Sequence, residues 1–200
     1  MTDSNLDMTM MIAFHDALRR DLQQVAAMDA RSEGWDLFER MLHLHHTAED
    51  DLLWPVARDQ VAGRSEELAL LEEMAAEHAA IGPVLDEFDR ELNEGKIAPA
   101  VRADLDERLR QHLQHEEVAA LPLIDRTLSP DQWMTFGMAA MERFRPDMPR
   151  FLPWLLDGAD ADVTANILKF IPPPVQQSYR DDWLPAYDAR DLWATKSSVT

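Results

Sequence analysis

Two stretches of this chain repeat the same arrangement of histidine, glutamate and proline. The first begins at His45, has a carboxylate at Glu49 four residues later, and reaches a proline ten residues after the histidine. The second begins at His112 and repeats these intervals, with its carboxylate at Glu116. In both stretches a second acid directly follows the glutamate. A duplicated unit of this kind restricts the fold to one that brings its two copies together.

A further histidine precedes each stretch, His15 thirty residues before the first copy and His78 thirty-four residues before the second. Residues four apart lie on one face of a helix, so each histidine–glutamate pair can reach a single point in a helical core. The unit therefore supplies four imidazoles and two carboxylates, which is the ligand set of a two-metal site. Such nitrogen and oxygen ligands, without sulfur, suit iron, manganese or zinc. The predicted metal ligands are His15, His45, Glu49, His78, His112 and Glu116.

Chance alone produces some of these pairs. With 7 histidines and 38 acidic residues among 200, roughly one histidine followed four residues later by an acid is expected at random. Three occur, starting at His45, His46 and His112. The shared proline selects the register, because His45 and not His46 stands ten residues before Pro55. His46 and Asp50 lie about 100° further around the helix, and we expect them to face solvent. His43 and His115 are likewise expected at the surface or as outer support.

The composition excludes several classes of function. The chain has no cysteine, which rules out thiolate zinc sites, cysteine-ligated iron–sulfur clusters, disulfides and thiol catalysis. A net charge of −19 argues against nucleic acid and anionic membrane surfaces as partners. Residues 1–12 hold two aspartates and no lysine or arginine, unlike the basic start of a signal peptide. We therefore expect a soluble, cytoplasmic protein; the sequence does not indicate its oligomeric state.

Four long segments carry helical periodicity, and glycine is scarce. They cover about residues 6–28, 32–61, 66–92 and 99–128. Gly63 is a predicted stop and Ser65 a predicted helix cap. Pro55 and Pro122 should bend or end the regular helix around them, and Pro83 should kink the third segment. Short links between long amphipathic helices favour an all-α, up-down-up-down four-helix bundle over residues 1–128.

Residues 129–200 have few long periodic segments and form a predicted C-terminal extension. Ser129 and Gln132 fit a capping box with proline at the first helical position, so a short helix should follow. Three of the six tryptophans lie after residue 150, which indicates that this extension packs on the bundle as short helices. A lid over one end of the bundle and a dimer contact both remain open as its role.

At this point the chain resembles a known family. The ordered histidines and His-x-x-x-Glu units, each ahead of a proline, resemble the hemerythrin-like (HHE cation-binding) family over about residues 8–126. The segment from His15 to Arg19 also resembles that family's opening histidine segment. The resemblance implies a four-helix bundle with a non-haem di-iron centre, in which Glu49 and Glu116 and an oxo or hydroxo group bridge two iron ions.

One position departs from the family pattern. Oxygen-carrying hemerythrins place another histidine four residues before the third-helix ligand, and here that position is Met74. The departure implies an iron with an open position, which metal-centred reactivity requires.

The first functional hypothesis is a di-iron protein that binds oxygen, nitric oxide or peroxide for sensing, storage or scavenging. The alternative is a di-iron enzyme that breaks down hydrogen peroxide. A third possibility is an interaction module whose site is empty or holds zinc. The residues do not choose between carrier and enzyme, because both need the same ligands.

Overall fold

The computed structural model describes residues 5–194, and all regular elements in that range are helices. The ends of the predicted bundle and of the predicted extension, residues 1–4 and 195–200, lie outside the described range. Within that range no helix is both long enough and apolar enough to cross a membrane. The four predicted long segments correspond to α1 (Thr9–Val25), α2 (Glu33–Ala48) continued by α3 (Trp54–Gln60), α4 (Ser65–Asn93), and α5 (Pro99–His115) continued by α6 (Leu121–Thr127).

The helix ends follow local chemistry in most places. The Ser32 hydroxyl accepts a hydrogen bond from the Trp35 backbone N–H at 3.1 Å and so caps α2. Gly63 adopts a positive φ of 83°, a conformation that glycine favours, and it turns the chain after α3 as predicted. The predicted cap at Ser65 is wrong, because Arg64 has the extended cap conformation and Ser65 is already the first helical residue.

A π-helical turn interrupts both proline-containing segments. The turns span Glu49–Leu53 and Glu116–Ala120, and α-helix resumes one residue before Pro55 and Pro122. A proline ring clashes with the carbonyl four residues earlier and has no N–H to donate, so a regular α-helix is disfavoured there. A wider π turn accommodates the proline. The predicted interruption is therefore confirmed, whereas α4 runs through Pro83 without a break.

The extension contains a third turn of the same kind. It spans Tyr179–Trp183, and Pro185 again follows the first residue of the turn at an interval of six. The turn begins with a tyrosine here and with a glutamate in the two long segments. A proline six residues after the first residue is thus common to the three π turns, whereas an acid at the first residue is not.

The long helices enclose two clusters of buried apolar side chains, a larger one that contains Leu18, Phe38, Phe88 and Leu109 and a smaller one that contains Trp54, Leu71 and Met74. Helix α1 packs against α2 and α5, α4 packs against α3 and α5, and α3 meets α6. Fully buried side chains from these helices include Leu18, Phe38, Phe88 and Leu109. The larger cluster continues into residues after position 140, including Phe144, Phe151 and Trp154.

Residues after 129 form further helices, several of which lie against α1 and α2. They are α7 (Pro130–Phe144), α8 (Met148–Leu156), α9 (Ala161–Leu168), α10 (Pro173–Ser178) and α11 (Leu184–Asp188). The predicted capping box at Ser129 and Gln132 is present at the start of α7. Helices α8 and α9 contact α1, and α7 contacts α2. The Trp154 indole N–H donates to the buried Asp21 carboxylate at 2.7 Å, which fastens α8 to α1. The division of the chain into two parts at residue 128 stays a prediction.

The last described residues close over the start of α2. The Gly34 N–H donates to the Leu192 carbonyl at 2.5 Å. A Cβ at Gly34 would lie 2.5 Å from the Trp193 ring and 2.9 Å from the Leu192 carbonyl oxygen. Glycine at this position therefore permits a backbone approach that no other residue allows.

We expect Gly34→Ala to lower the free energy of unfolding by about 1–3 kcal/mol, the usual cost of overpacking. Gly137→Ala is the matched control, since a Cβ at Gly137 meets nothing within 4 Å, and helix propensity alone should stabilise it by up to about 1 kcal/mol. Urea denaturation of both variants measures the difference. Equal stability of the two variants would contradict the close contact with Trp193.

Candidate metal centre

Seven buried side chains in the interior form two groups that could each hold a metal ion. The first group is His15, His45, Glu49 and Glu116, and the second is His46, His78 and His112. Within each group the candidate ligand atoms all lie within 4.8 Å of one another. All six residues predicted from the sequence are thus brought together, and one further residue, His46, joins them.

The first group joins the two glutamates to histidines of α1 and α2. His15 Nε2 lies 3.2 Å from Glu116 Oε2, and His45 Nε2 lies 3.6 Å from Glu49 Oε1. His45 and Glu49 are one helical turn apart, as predicted from their spacing. Both glutamates are the first residues of their π turns, and π turns inside helices are frequent at functional sites.

The second group lies across the same carboxylates. The Nε2 atoms of His78 and His112 are 3.1 Å apart, and the His46 ring stacks on His78 with a centroid distance of 4.0 Å. His78 Nε2 lies 3.5 Å from the second oxygen of Glu49, and His112 Nε2 lies 3.9 Å from Glu116 Oε2. Each glutamate therefore lies close to one histidine of each group.

The buried atoms at the centre lack protein hydrogen-bond partners. Both oxygens of Glu49, both oxygens of Glu116, and the Nε2 atoms of His15, His45 and His46 are unsatisfied. The two glutamate side chains are 0% exposed. Such unpaired buried polar groups are rare in folded proteins, because each costs free energy that its burial does not return. Cations between the two groups would remove that cost, so the residues fit a pair of metal ions.

Carboxylates outside the centre orient three of the histidines through their other ring nitrogen. His15 Nδ1 lies 2.9 Å from Glu117, His78 Nδ1 lies 2.8 Å from Asp50, and His112 Nδ1 lies 2.9 Å from Glu77. A hydrogen bond of this kind fixes the ring orientation and leaves Nε2 facing the centre as an acceptor. It also makes the imidazole a stronger metal ligand.

These outer carboxylates have further partners at the surface. Arg19 donates to Glu117 at 2.7 Å, and His115 Nδ1 lies 2.8 Å from Glu77. His115 thus supports the centre from outside, and His43 is exposed, both as predicted. Neither belongs to the two candidate groups.

Comparison with known families agrees with this geometry. The family description "Hemerythrin HHE cation binding domain" matches residues 7–124, well over half of the chain. The protein belongs to the hemerythrin HHE cation-binding family. Neither curated proteins nor solved structures provide a match. Family membership and the two residue groups together establish a hemerythrin-like, cation-binding domain with histidines and glutamates that could bind metal.

The prediction that His46 faces solvent is wrong. His46 is 8% exposed and stacks on His78, while His45 faces His15 with a centroid distance of 5.1 Å. Consecutive residues point about 100° apart around a helix. Here the directions from α2 toward α1 and toward α4 differ by a similar angle. His45 therefore faces α1, His46 faces α4, and both point inward. Asp50, also expected in solvent, is partly exposed and supports His78.

The position where oxygen-carrying hemerythrins have another histidine is part of the apolar core. Met74 is fully buried in the same apolar cluster as Leu71 and Trp54. The chain therefore lacks that imidazole on α4 but supplies one from α2, at His46. The consecutive His45-His46 pair, with an acid four residues after each, was the only sequence signal for this exchange.

Aromatic side chains cover the first group. Phe14 stacks on the His45 ring with a centroid distance of 4.6 Å and an interplanar angle of 15°. Phe14 in turn contacts Phe144, Phe151 and Trp154 from the region after residue 129. The extension thus shields this side of the centre through Phe14.

The metal-free centre carries one strong charge pair. Burial lowers the pKa of His15, but the facing Glu116 and Glu117 carboxylates outweigh it and raise that pKa from 6.5 to about 9. Burial and the neighbouring Glu116 raise the pKa of Glu49 well above its ordinary value, which favours the protonated form of Glu49. Burial lowers the pKa of His45 and that of His46, which keeps both rings neutral. Metal binding must displace the protons on His15 and Glu49.

We expect the free energy of unfolding of the chelator-treated protein to fall as the pH rises from 6.5 to about 9. Across this range folded His15 keeps a proton that the unfolded chain has released, so each rise in pH favours the unfolded state. A pKa raised from 6.5 to about 9 corresponds to a loss on the order of 3 kcal/mol. Urea denaturation at several pH values measures it, with His15→Asn as the control in which the His15 contribution to the decline is absent. A flat profile for the unaltered protein would contradict the charge pair.

Proposed function

We propose that this protein holds two iron ions at the seven-residue centre and binds oxygen or a related small molecule there, such as nitric oxide or peroxide. The observation that carries the proposal is the set of four fully buried carboxylate oxygens of Glu49 and Glu116 that have no hydrogen-bond partner and face imidazoles on both sides. Sensing, storage and scavenging all use the same binding event.

The donors divide unequally between the two positions. His15 and His45 would hold one ion, and His46, His78 and His112 the other. The two glutamates group with His15 and His45 but also lie 3.5 Å from His78 and 3.9 Å from His112, so we infer that they are shared. The first position thus has one protein ligand fewer, and the exchangeable place for a small molecule lies on the His15 and His45 side. An iron pair at this centre would supply electrons to a bound small molecule and recover them on its release.

The surroundings of the first position favour reversible binding. His15 is fully buried, His45 is 4% exposed, and Phe14 covers the His45 ring. A closed apolar site excludes water and protons, which limits side reactions of a bound ligand. Glu117 and Arg19 hold His15 in place from outside through a short charged chain.

Breakdown of hydrogen peroxide is the second candidate function. The sequence argument for this function was Met74, which stands where another imidazole would be and so leaves an iron with an open position. His46 restores the number of imidazoles from another helix, so that argument is weaker than the sequence implied. Binding is therefore the better supported function.

We also infer the up-down-up-down order of the four long segments. The contacts of α1 with α2 and α5, and of α4 with α5, support it, as do short links such as 61–64 and 94–98. In this arrangement residues 1–128 form the bundle and the remaining helices pack on it.

We expect the iron-replete protein to bind two ions and His46→Ala to lose affinity for one of them at least tenfold, because a neutral imidazole facing that position is removed. His43→Ala is the matched control, since His43 lies on the same helix and is exposed. Metal analysis with competition by a chelator measures both affinities. Identical affinities in the two variants would exclude His46 as a ligand.

We expect the anaerobically reduced, iron-loaded protein to develop a visible absorption band under oxygen and to lose it when oxygen is removed. The physical reason is that the position held by His15 and His45 excludes water and has one protein ligand fewer than the other position. Added hydrogen peroxide should release oxygen no faster than free iron does. Immediate irreversible oxidation would contradict the binding function, and peroxide turnover that collapses in Glu116→Ala would establish the alternative.

A further inference from the structure

A groove between α2 and α4 connects the surface with the metal centre. It has a volume of about 510 Å³ and includes His46 and His78 in its lining. Three small residues, Ala75, Ala79 and Gly82, line it on the α4 side and leave space for the groove. Two of the candidate metal ligands are thus reachable from outside through one depression.

The exposure of the candidate ligands singles out this side of the centre. His46 and His78 keep 8% and 6% of their surface accessible, whereas His15, Glu49 and Glu116 keep none. His46 Nε2 has no hydrogen-bond partner, although the residue lines the groove. The Nε2 atom itself is buried, so this imidazole can take up a cation only after the cation has reached the inner end of the groove.

The charge of the groove suits a cation. Asp36, Glu39 and Asp86 line it, and Asp50 lies at its inner part beside His78. The one arginine in the lining, Arg40, is held by Asp147 of the region after α7 at 2.9 Å. Arg31 also pairs with Asp36 at 2.8 Å and with Glu39 at 3.9 Å, so four acids of the lining face two arginines. A cleft with an excess of one sign of charge concentrates ions of the opposite sign and raises their association rates.

We propose that this groove is the route by which hydrated divalent metal ions enter the centre. Six waters at about 30 Å³ each occupy roughly 180 Å³, so a groove of about 510 Å³ admits the ion with its hydration shell. The acids replace part of that shell on the way in, and His46 and His78 accept the ion at the inner end. The inference rests on the proposed metal centre but concerns how it fills, not what it binds afterwards.

Position 82 allows the groove to be closed without disturbing the core. Gly82 lies one turn after His78 on α4, and a Cβ there meets nothing within 4 Å. A long side chain on a helix lies over the turn that precedes it, so a leucine at 82 would cover His78. Gly137 is the matched control, because it is also helical and open.

The test measures Co²⁺ uptake by the chelator-treated full chain in a stopped-flow spectrometer, together with the final metal content. Gly82→Leu should slow uptake at least tenfold and leave the final content unchanged, whereas Gly137→Leu should match the unaltered protein. The pair Glu39→Gln and Asp86→Asn should slow uptake severalfold at low ionic strength and little at high ionic strength. The control for charge is Asp104→Asn with Asp106→Asn, on an exposed part of α5.

Equal uptake rates in Gly82→Leu and Gly137→Leu, with full final content in both, would overturn the route and leave the metal centre intact. Equal rates in the two charge variants would remove the role of the acids and contradict the route for cations. Absence of Co²⁺ uptake in the unaltered protein would overturn the metal centre itself, and the route with it. Slowed oxygen access without slowed Co²⁺ uptake in Gly82→Leu would assign the groove to the small molecule instead.

Discussion

The burial of two glutamates whose oxygens have no hydrogen-bond partner is the constraint on which the rest of the structure depends. A buried carboxylate without compensation costs several kcal/mol, and here Glu49 and Glu116 are both fully buried. Within the protein, a raised pKa of Glu49 that favours its protonated form and a charged His15 beside Glu116 offset part of this free-energy cost. The long helices, the outer carboxylates and the aromatic cover are all arranged around this one polar centre in an apolar interior.

Local patterns predicted most of the fold and most of the centre. The four long helical segments follow from periodicity, and the capping box at Ser129 and the turn at Gly63 follow from single residues. The pairing of His45 with Glu49, and of His112 with Glu116, follows from a spacing of one helical turn. These features depend on neighbours in the chain, so a sequence displays them.

What the sequence did not predict depends on contacts between distant segments. Whether His46 faces water or the interior is decided by the directions from α2 to α1 and α4, which no local pattern encodes. Glu77 supports His112 from thirty-five residues away, and nothing around it in the sequence marks that role. The aromatic cover of His45 joins Phe14 to residues more than 120 positions later. Its members look like ordinary core residues, and only the assembled structure shows that they border the centre.

The three π turns have a consequence for how the chain tolerates insertions and deletions. Each turn holds one residue more than a regular α-helix would, so everything after it is rotated by about 100° relative to what precedes it. Leu53, the last residue of the first turn, and Trp54, which directly follows it, are fully buried, and that orientation requires the additional residue. Loss of one amino acid between Glu49 and Pro55 would swing the whole of α3 out of phase with the core. The number of residues from the glutamate to the proline is therefore the same in both copies of the duplicated unit, and it is as constrained as the identity of the ligands.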